Sequence, residues 1–205
     1  MINQLIYNNG NKILVGAAEK AGSSAIILTM GYPVLGKFKS RRDREALLKK
    51  GLWKEIYHKG VTNWIEYPIR IAVVRDPVER LISCYRDRVL IKNRDKMRDK
   101  YKSFSSFVDN LDIARQESED LFKHSRPLVD ILGPASNYTK IIDMENISTE
   151  FVPIIKQVSG NNNVPDIIFN KNTKAEKVIS TNKDIQKIKK YYKEDYEEYG
   201  SYFVY

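Results

Sequence analysis

Cysteine and histidine are almost missing from this chain. Its 205 residues include one cysteine, Cys84, and two histidines, His58 and His124. A single thiol cannot form an internal disulfide or a cysteine-rich metal site, and it fits a reducing cytoplasm. Two histidines argue against a histidine-built metal centre, so no metal is expected. Long apolar runs are missing as well. Nothing approaches the roughly 18 apolar residues of a membrane span, and the leading MINQLIYNNGNK lacks the basic-then-apolar build of a signal peptide. Internal repeats and low-complexity tracts are also lacking. The expectation is one domain over residues 1–205, with no membrane span, staying in the cytoplasm where it was made. Positive charge is what the chain has in excess, 35 Lys and Arg against 26 Asp and Glu, a net +9. That favours an anionic partner, without choosing among a nucleotide, a polyanionic glycan, a nucleic acid and a membrane surface.

Short apolar runs alternate with helical patterns along the chain. Lys12–Ala18 (KILVGAA) ends in small residues and Gly22–Met30 follows with helix-compatible spacing, which reads as strand, loop, helix. Pro68–Val74 (PIRIAVV) reads as a buried strand. Asp76 suits the cap of the next helix, Pro77 its first position and Glu79 its positive end, with Val78, Leu81, Ile82, Tyr85 and Val89 as its apolar face. Further helices are expected over Arg41–Leu52, Phe104–Leu111, Ser118–His124, Ser148–Val158 and Lys183–Tyr199. A strand is expected over Tyr138–Met144, and the turn formers of Ser159–Asp166 predict a loop. This alternation predicts an α/β fold, a central parallel sheet covered on both faces.

Two segments concentrate anion-binding groups. In Val15–Ser24 (VGAAEKAGSS), Lys20, Gly22, Ser23 and Ser24 stand between a strand and a helix N-terminus, where amides and the helix dipole attract phosphate or sulfate. A Walker loop places its lysine after the last glycine, with a following hydroxyl on magnesium. Here lysine precedes glycine, which suits a donor handled by cations and amides. An ordinary βα turn with an exposed lysine accounts for this segment equally well. In Val73–Arg88 (VVRDPVERLISCYRDR), Arg75 ends a strand at the place where α/β sheets bind ligands, and Arg80 and Ser83 share a helix face. An arginine fork and a hydroxyl converging there would grip a terminal phosphate. The alternative is that Arg75 pairs with Asp76 or Glu79 and Ser83 only packs.

Lys-x-x-Ser after a strand, followed by Arg-Asp-Pro-x-x-Arg-x-x-Ser-x-Tyr-Arg, resembles the sulfotransferase superfamily. That resemblance implies a P-loop-NTPase-like three-layer α/β sandwich with a central parallel sheet and, as co-substrate, 3′-phosphoadenosine 5′-phosphosulfate (PAPS). It implies a 5′-phosphosulfate loop at Lys20, Ala21, Gly22, Ser23 and Ser24, and 3′-phosphate contacts at Arg75 and Ser83. Glu19 departs from the proline that many members carry before the lysine, and an acid beside a dianion must point away or pair with a base. His124-Ser125-Arg126-Pro127, Tyr138–Ile147 (YTKIIDMENI) and Tyr192–Tyr202 (YKEDYEEYGSY) are similar to segments of the carbohydrate and membrane-associated branch. Tryptophan and glutamine of that branch's H-W-x-P-Q segment are Ser125 and Leu128 here. The C-terminal aromatics, at helical spacing, read as core.

Sulfuryl transfer is an in-line displacement in which charge builds on the leaving nucleotide, so catalysis requires positioning and a cation. Lys20 is the expected cation. The base that takes the acceptor's hydroxyl proton is His58 or His124, with Glu55 or Glu66 as alternatives. The acceptor implied is a carbohydrate or other small hydroxyl compound rather than a nucleic acid. The basic clusters Lys37–Lys50 and Arg86–Arg98 read either as an acceptor groove or as solvated faces. Two rival functions stay open at this level: an ATP-dependent kinase with an unusual phosphate loop, and a non-catalytic module binding polyanions by charge.

Overall fold

The computed structural model describes residues 3–9, 11–35, 57–59, 66–165 and 177–204. Its centre is a five-stranded sheet of β1 (Asn3–Asn9), β2 (Asn11–Ala17), β3 (Tyr57–Lys59), β4 (Ile69–Val74) and β5 (Lys140–Asp143), in the order β3-β1-β2-β4-β5. Strands β2, β4 and β5 run parallel, whereas β1 pairs antiparallel with both β2 and β3. The expected parallel sheet is therefore a mixed one. The reason is local: β1 and β2 are consecutive strands on either side of Asn9-Gly10, and Asn9 pairs with Asn11. Asn-Gly is among the strongest hairpin signals in a sequence, and a connection this short permits only antiparallel pairing.

The parallel strands are apolar on both sides, as a doubly covered sheet demands. Ile13, Val15 and Ala17 of β2 pack with Ala25, Ile26 and Met30 of α1 (Ser23–Leu35). Leu14 of β2 and Ala72 and Val74 of β4 face the opposite way, into a separate cluster with Leu128, Ile131, Tyr199 and Phe203. Gly16 in β2 admits the Tyr138 ring on that side, since a Cβ there would lie 2.6 Å from the Tyr138 hydroxyl oxygen.

After β4 the chain caps and enters α2 (Pro77–Cys84) as anticipated. Asp76 Oδ1 accepts from the amides of Val78 at 2.8 Å and Glu79 at 3.2 Å. Val78, Leu81, Tyr85 and Val89 are buried, and Tyr85 meets Phe104 and Phe107 edge-on and tilted. The helix does not stay regular, because Tyr85–Ile91 continues it as π-helix, a geometry that often marks functional sites.

Further helices are α3 (Met97–Lys100), α4 (Phe104–Asp109), α5 (Leu111–Glu117), α6 (Glu119–Ser125) and α7 (Leu128–Leu132). Then come α8 (Val152–Ser159), preceded by a π-turn over Ile147–Phe151, and α9 (Asn182–Tyr191) and α10 (Lys193–Tyr199). The single helix expected over 183–199 is thus two, broken at Tyr192, whose φ of −101° and ψ of 32° leave the helical region. Tyr192 and Tyr199 are core, as the spacing predicts, with their hydroxyls donating to the carbonyls of Ser125 and Gly133, whereas Tyr202 is exposed. The helix expected over 41–52 lies outside the described residues. Among those residues no helix is long and apolar enough to cross a membrane.

Candidate functional site

Parallel strands deliver their carboxyl ends to one edge of the sheet, and both anion-binding segments begin there. At the end of β2 the chain turns through Glu19–Gly22, with Lys20 at φ 64° and Gly22 at φ 79°. Gly22 is required at its position because the conformation is left-handed and a Cβ would lie 2.6 Å from Ile147 Cδ1. Its carbonyl accepts from the amides of Ala25 at 2.7 Å and Ile26 at 3.1 Å, so intrahelical bonding of α1 starts at Ala25. The dipole of that helix N-terminus favours an anion, and Ser23 and Ser24 put hydroxyls there. Ala21 is fully buried, and its amide donates to the Ala18 carbonyl at 3.2 Å.

The second segment lies against this turn along one ridge of α2. Arg80 Nε donates to the Glu19 carbonyl at 3.3 Å, and Lys20 Nζ donates to Asp87 Oδ2 at 2.9 Å. Ser83, about one turn from Arg80 and from Asp87, stands between these two residues in sequence and is buried. Arg75, just past β4, closes the other side, its Nη1 3.4 Å from the Lys20 carbonyl and its Nη2 3.3 Å from Glu79 Oε2. Burial holds the Arg75 guanidinium below its usual range, against the opposing influence of Glu79, Glu145 and Asp143. Lys20, Ala21, Gly22, Ser23, Ser24, Arg75 and Ser83 are therefore brought to one sheet edge, with Arg75 paired to Glu79, the partner that the alternative reading named.

Arg80 serves differently from the expectation. It is 2 % exposed and spends its donors on the carbonyls of Glu19 and Arg126 (3.1 Å), beside the Asp195 carboxylate at 4.0 Å. It ties the turn to α2 and α7 instead of facing the crevice. Glu19 is near enough to the bases of α6 for its charge to raise the pKa of Lys123 and His124.

The candidate bases separate by position. Glu66 is exposed and precedes the amino end of β4, about 20 Å of strand away from Arg75. Glu55 lies outside the described residues. His58 pairs with Gln4 of β1, which pairs with Gly16 of β2, so its backbone lies level with the carboxyl end of β2, about 10 Å across the sheet from Gly16. His124 is on α6 with both ring nitrogens engaged. Nδ1 is 2.7 Å from the Asp120 carbonyl, and Nε2 is in a close hydrogen bond with Arg88 Nη2. Since arginine only donates, Nε2 accepts and Nδ1 carries the hydrogen. Burial lowers the His124 pKa, and the Arg88 charge adds to that effect.

Asp87 escapes the sequence reading. Its carboxylate gathers Lys20, Arg88 at 3.4 Å and Lys92 at 3.6 Å. Burial alone would raise its pKa, but the Lys20 hydrogen bond and the three cations hold it below the ordinary carboxylate value. The signal available was spacing: Asp87 follows Ser83 by four residues, on the same face. Cys84, between them, is fully buried and its thiol is pushed up to about 12, so it is not a nucleophile.

A cationic turn at a helix N-terminus, its carbonyls held by Arg75 and Arg80 of the next βα unit, is an arrangement that attracts anions. The chain belongs to the sulfotransferase family, whose family-2 model matches residues 3–202, and it is a sulfotransferase. No curated protein and no solved structure matches it.

Proposed function

We propose that this sulfotransferase takes its sulfuryl group from PAPS and passes it to a hydroxyl of an acceptor, with a carbohydrate as the acceptor class. The observation that carries the donor assignment is the contact between the two motifs. The turn that holds Lys20 is laid along the Arg80–Ser83–Asp87 ridge, and its carbonyl reaches Arg75. In this reading the amides and hydroxyls of Gly22, Ser23 and Ser24 take the 5′-phosphosulfate, while Arg75 and Ser83 take the 3′-phosphate. The sheet, with one cluster of helices against each face, fits the three-layer, P-loop-NTPase-like sandwich that such donors use.

The acceptor oxygen attacks sulfur, the bond from sulfur to the bridging oxygen breaks, and the nucleotide leaves as 3′,5′-adenosine bisphosphate. Lys20 stabilises the charge on that oxygen, and a base takes the acceptor's proton. His58 is the candidate we favour, because its backbone lies level with the carboxyl end of β2, two strands across from Gly16, whereas His124 has both nitrogens committed.

Calorimetry with 3′,5′-adenosine bisphosphate in metal-free buffer tests the donor assignment. Micromolar binding that Arg75→Ala with Ser83→Ala abolishes is the expected result. Absence of binding at millimolar ligand, or binding indifferent to that double substitution, overturns it. Lys20→Ala should lower kcat by about 100-fold or more, in line with removal of one preorganised donor at a developing charge.

A further inference from the structure

Lys20 has two anions within its reach: the Asp87 carboxylate, which it holds here, and the phosphosulfate of the donor assigned above. The bridge to Asp87 is 2.9 Å long between side chains that are 16 % and 25 % exposed, so it is partly shielded from water. The main chain at position 20 is fixed, since its carbonyl meets Arg75 and the neighbouring Glu19 carbonyl meets Arg80. The ammonium, by contrast, is at the end of a flexible four-carbon stem and can change partner by rotamer change alone. Asp87 is built to survive that change, because Arg88 and Lys92 stay beside its carboxylate when Lys20 leaves. Arg88 is in turn held by Asp120 at 3.3 Å and by His124.

We infer that Asp87 is a positioning residue that competes with the nucleotide for Lys20, holding the ammonium on the α2 ridge until a more highly charged anion displaces the carboxylate. This rests on the donor assignment and adds its regulation: the bridge sets a threshold of ligand charge. A ligand that must first break the bridge binds with an affinity reduced by the fraction of molecules in which Lys20 is released. A dianionic 5′-group can draw the lysine away where a monoanionic or neutral one cannot. Asp87 therefore selects for the full complement of charge on the donor.

The test is a double-mutant cycle read by calorimetry, with 3′,5′-adenosine bisphosphate and 3′-adenosine monophosphate as ligands. Asp87→Asn should tighten the bisphosphate by about three- to tenfold, the range expected for releasing a partly shielded ion pair. The monophosphate, with no 5′-anion to engage Lys20, should change less than about twofold. In a Lys20→Ala background the Asp87→Asn effect should vanish, which distinguishes competition for one lysine from a general gain in positive potential. A merely structural role predicts the opposite sign, weaker binding with a lower melting temperature. If Asp87→Asn melts early, Asp87→Ser carries the same prediction. Unchanged or weaker bisphosphate binding in the neutral variants, or equal tightening without Lys20, overturns the inference and leaves the donor assignment standing. No bisphosphate binding by any variant overturns both.

Discussion

Arg80 and Asp195 are a buried pair, 4.0 Å apart and 2 % and 0 % exposed, joining the phosphate-motif helix to the last helix of the chain. Neither is there for charge alone. Asp195 Oδ2 and Oδ1 accept from the amides of Leu128 and Val129 at 2.8 and 2.9 Å, capping α7, while Arg80 holds the carbonyls of Glu19 and Arg126. Removing one member strands the other in the core. Arg80→Met should destabilise the fold by about 3 kcal/mol, in the range found when one partner of a buried pair is deleted. Asp195→Ala should cost at least as much, and Arg80→Met with Asp195→Ala should cost less than the sum of the single changes. Urea unfolding monitored by tryptophan fluorescence and by circular dichroism reads all four proteins.

Gly16 and Tyr138 predict a compensating pair. A Cβ at position 16 would meet the Tyr138 hydroxyl at 2.6 Å, the same ring at 3.1 Å and Leu132 Cδ2 at 3.0 Å. That hydroxyl is committed, donating to the Leu132 carbonyl at 2.8 Å. Gly16→Ala should therefore cost about 1–3 kcal/mol as overpacking, and Tyr138→Phe about 1 kcal/mol for the lost hydrogen bond. Combined, the two should cost less than their sum, because Phe removes the closest clash and leaves only the milder ones. Thermal melts of the single and double variants measure the coupling.

How much of this was legible in the sequence depends on whether a feature is local. Strands β2 and β4 were, because ILVGA and IAVV are buried on both faces and read as short apolar runs. The Asp76 cap was, because capping is a matter of adjacent residues. Strand β1 was not: NQLIYNN is bounded by asparagines and carries only three consecutive apolar residues, and its Asn-Gly turn signal was passed over. Strand β3 is three residues long, and it exists only through its pairing with β1. The break at Tyr192 interrupts an apolar period that continues on both sides, so the period could not announce it. In the site, Lys20, Gly22, Ser23, Arg75 and Ser83 were legible as cations, hydroxyls and a glycine at a strand end. Asp87 was not, although it lies within the same segment, because a carboxylate is the wrong sign for an anion site until its partner Lys20 is seen.

His124 gives a pH dependence whose sign is fixed. Its folded pKa is depressed below the ordinary 6.5 because burial disfavours the imidazolium and Arg88 repels it, against the Asp120 carbonyl and the Asp120 and Glu19 charges. Protonation would also set an Nε2–H against the Arg88 donor. As pH falls through 6.5 the unfolded chain takes up a proton that the folded chain refuses, so stability contributed by neutral His124 is present above 6.5 and falls below it. His124→Gln offers Arg88 an amide oxygen and has nothing to titrate. The difference in urea midpoint between the parent and His124→Gln should therefore shift in the variant's favour between about pH 7.5 and about pH 5.5. A difference independent of pH would show that the imidazole is not held neutral.

Gly22 and Ser23 are neighbours in the phosphate turn, and their substitution should separate fold from function. Gly22 is at φ 79°, and an added Cβ would press on Ile147 Cδ1 at 2.6 Å and Met144 Cγ at 3.1 Å. Gly22→Ala should destabilise the protein by about 1–2 kcal/mol from the left-handed backbone alone, and it should weaken 3′,5′-adenosine bisphosphate because the turn must deform. Ser23 is partly exposed at the first position of α1, and α1 begins its intrahelical bonding without its hydroxyl. Ser23→Ala should leave the stability within about half a kcal/mol of the parent and still weaken the bisphosphate, by the loss of one hydrogen bond to a charged group. Parallel melting and calorimetric titrations decide it. If Ser23→Ala binds as tightly as the parent while Gly22→Ala fails, the turn is needed for its shape and the hydroxyl does not touch the ligand.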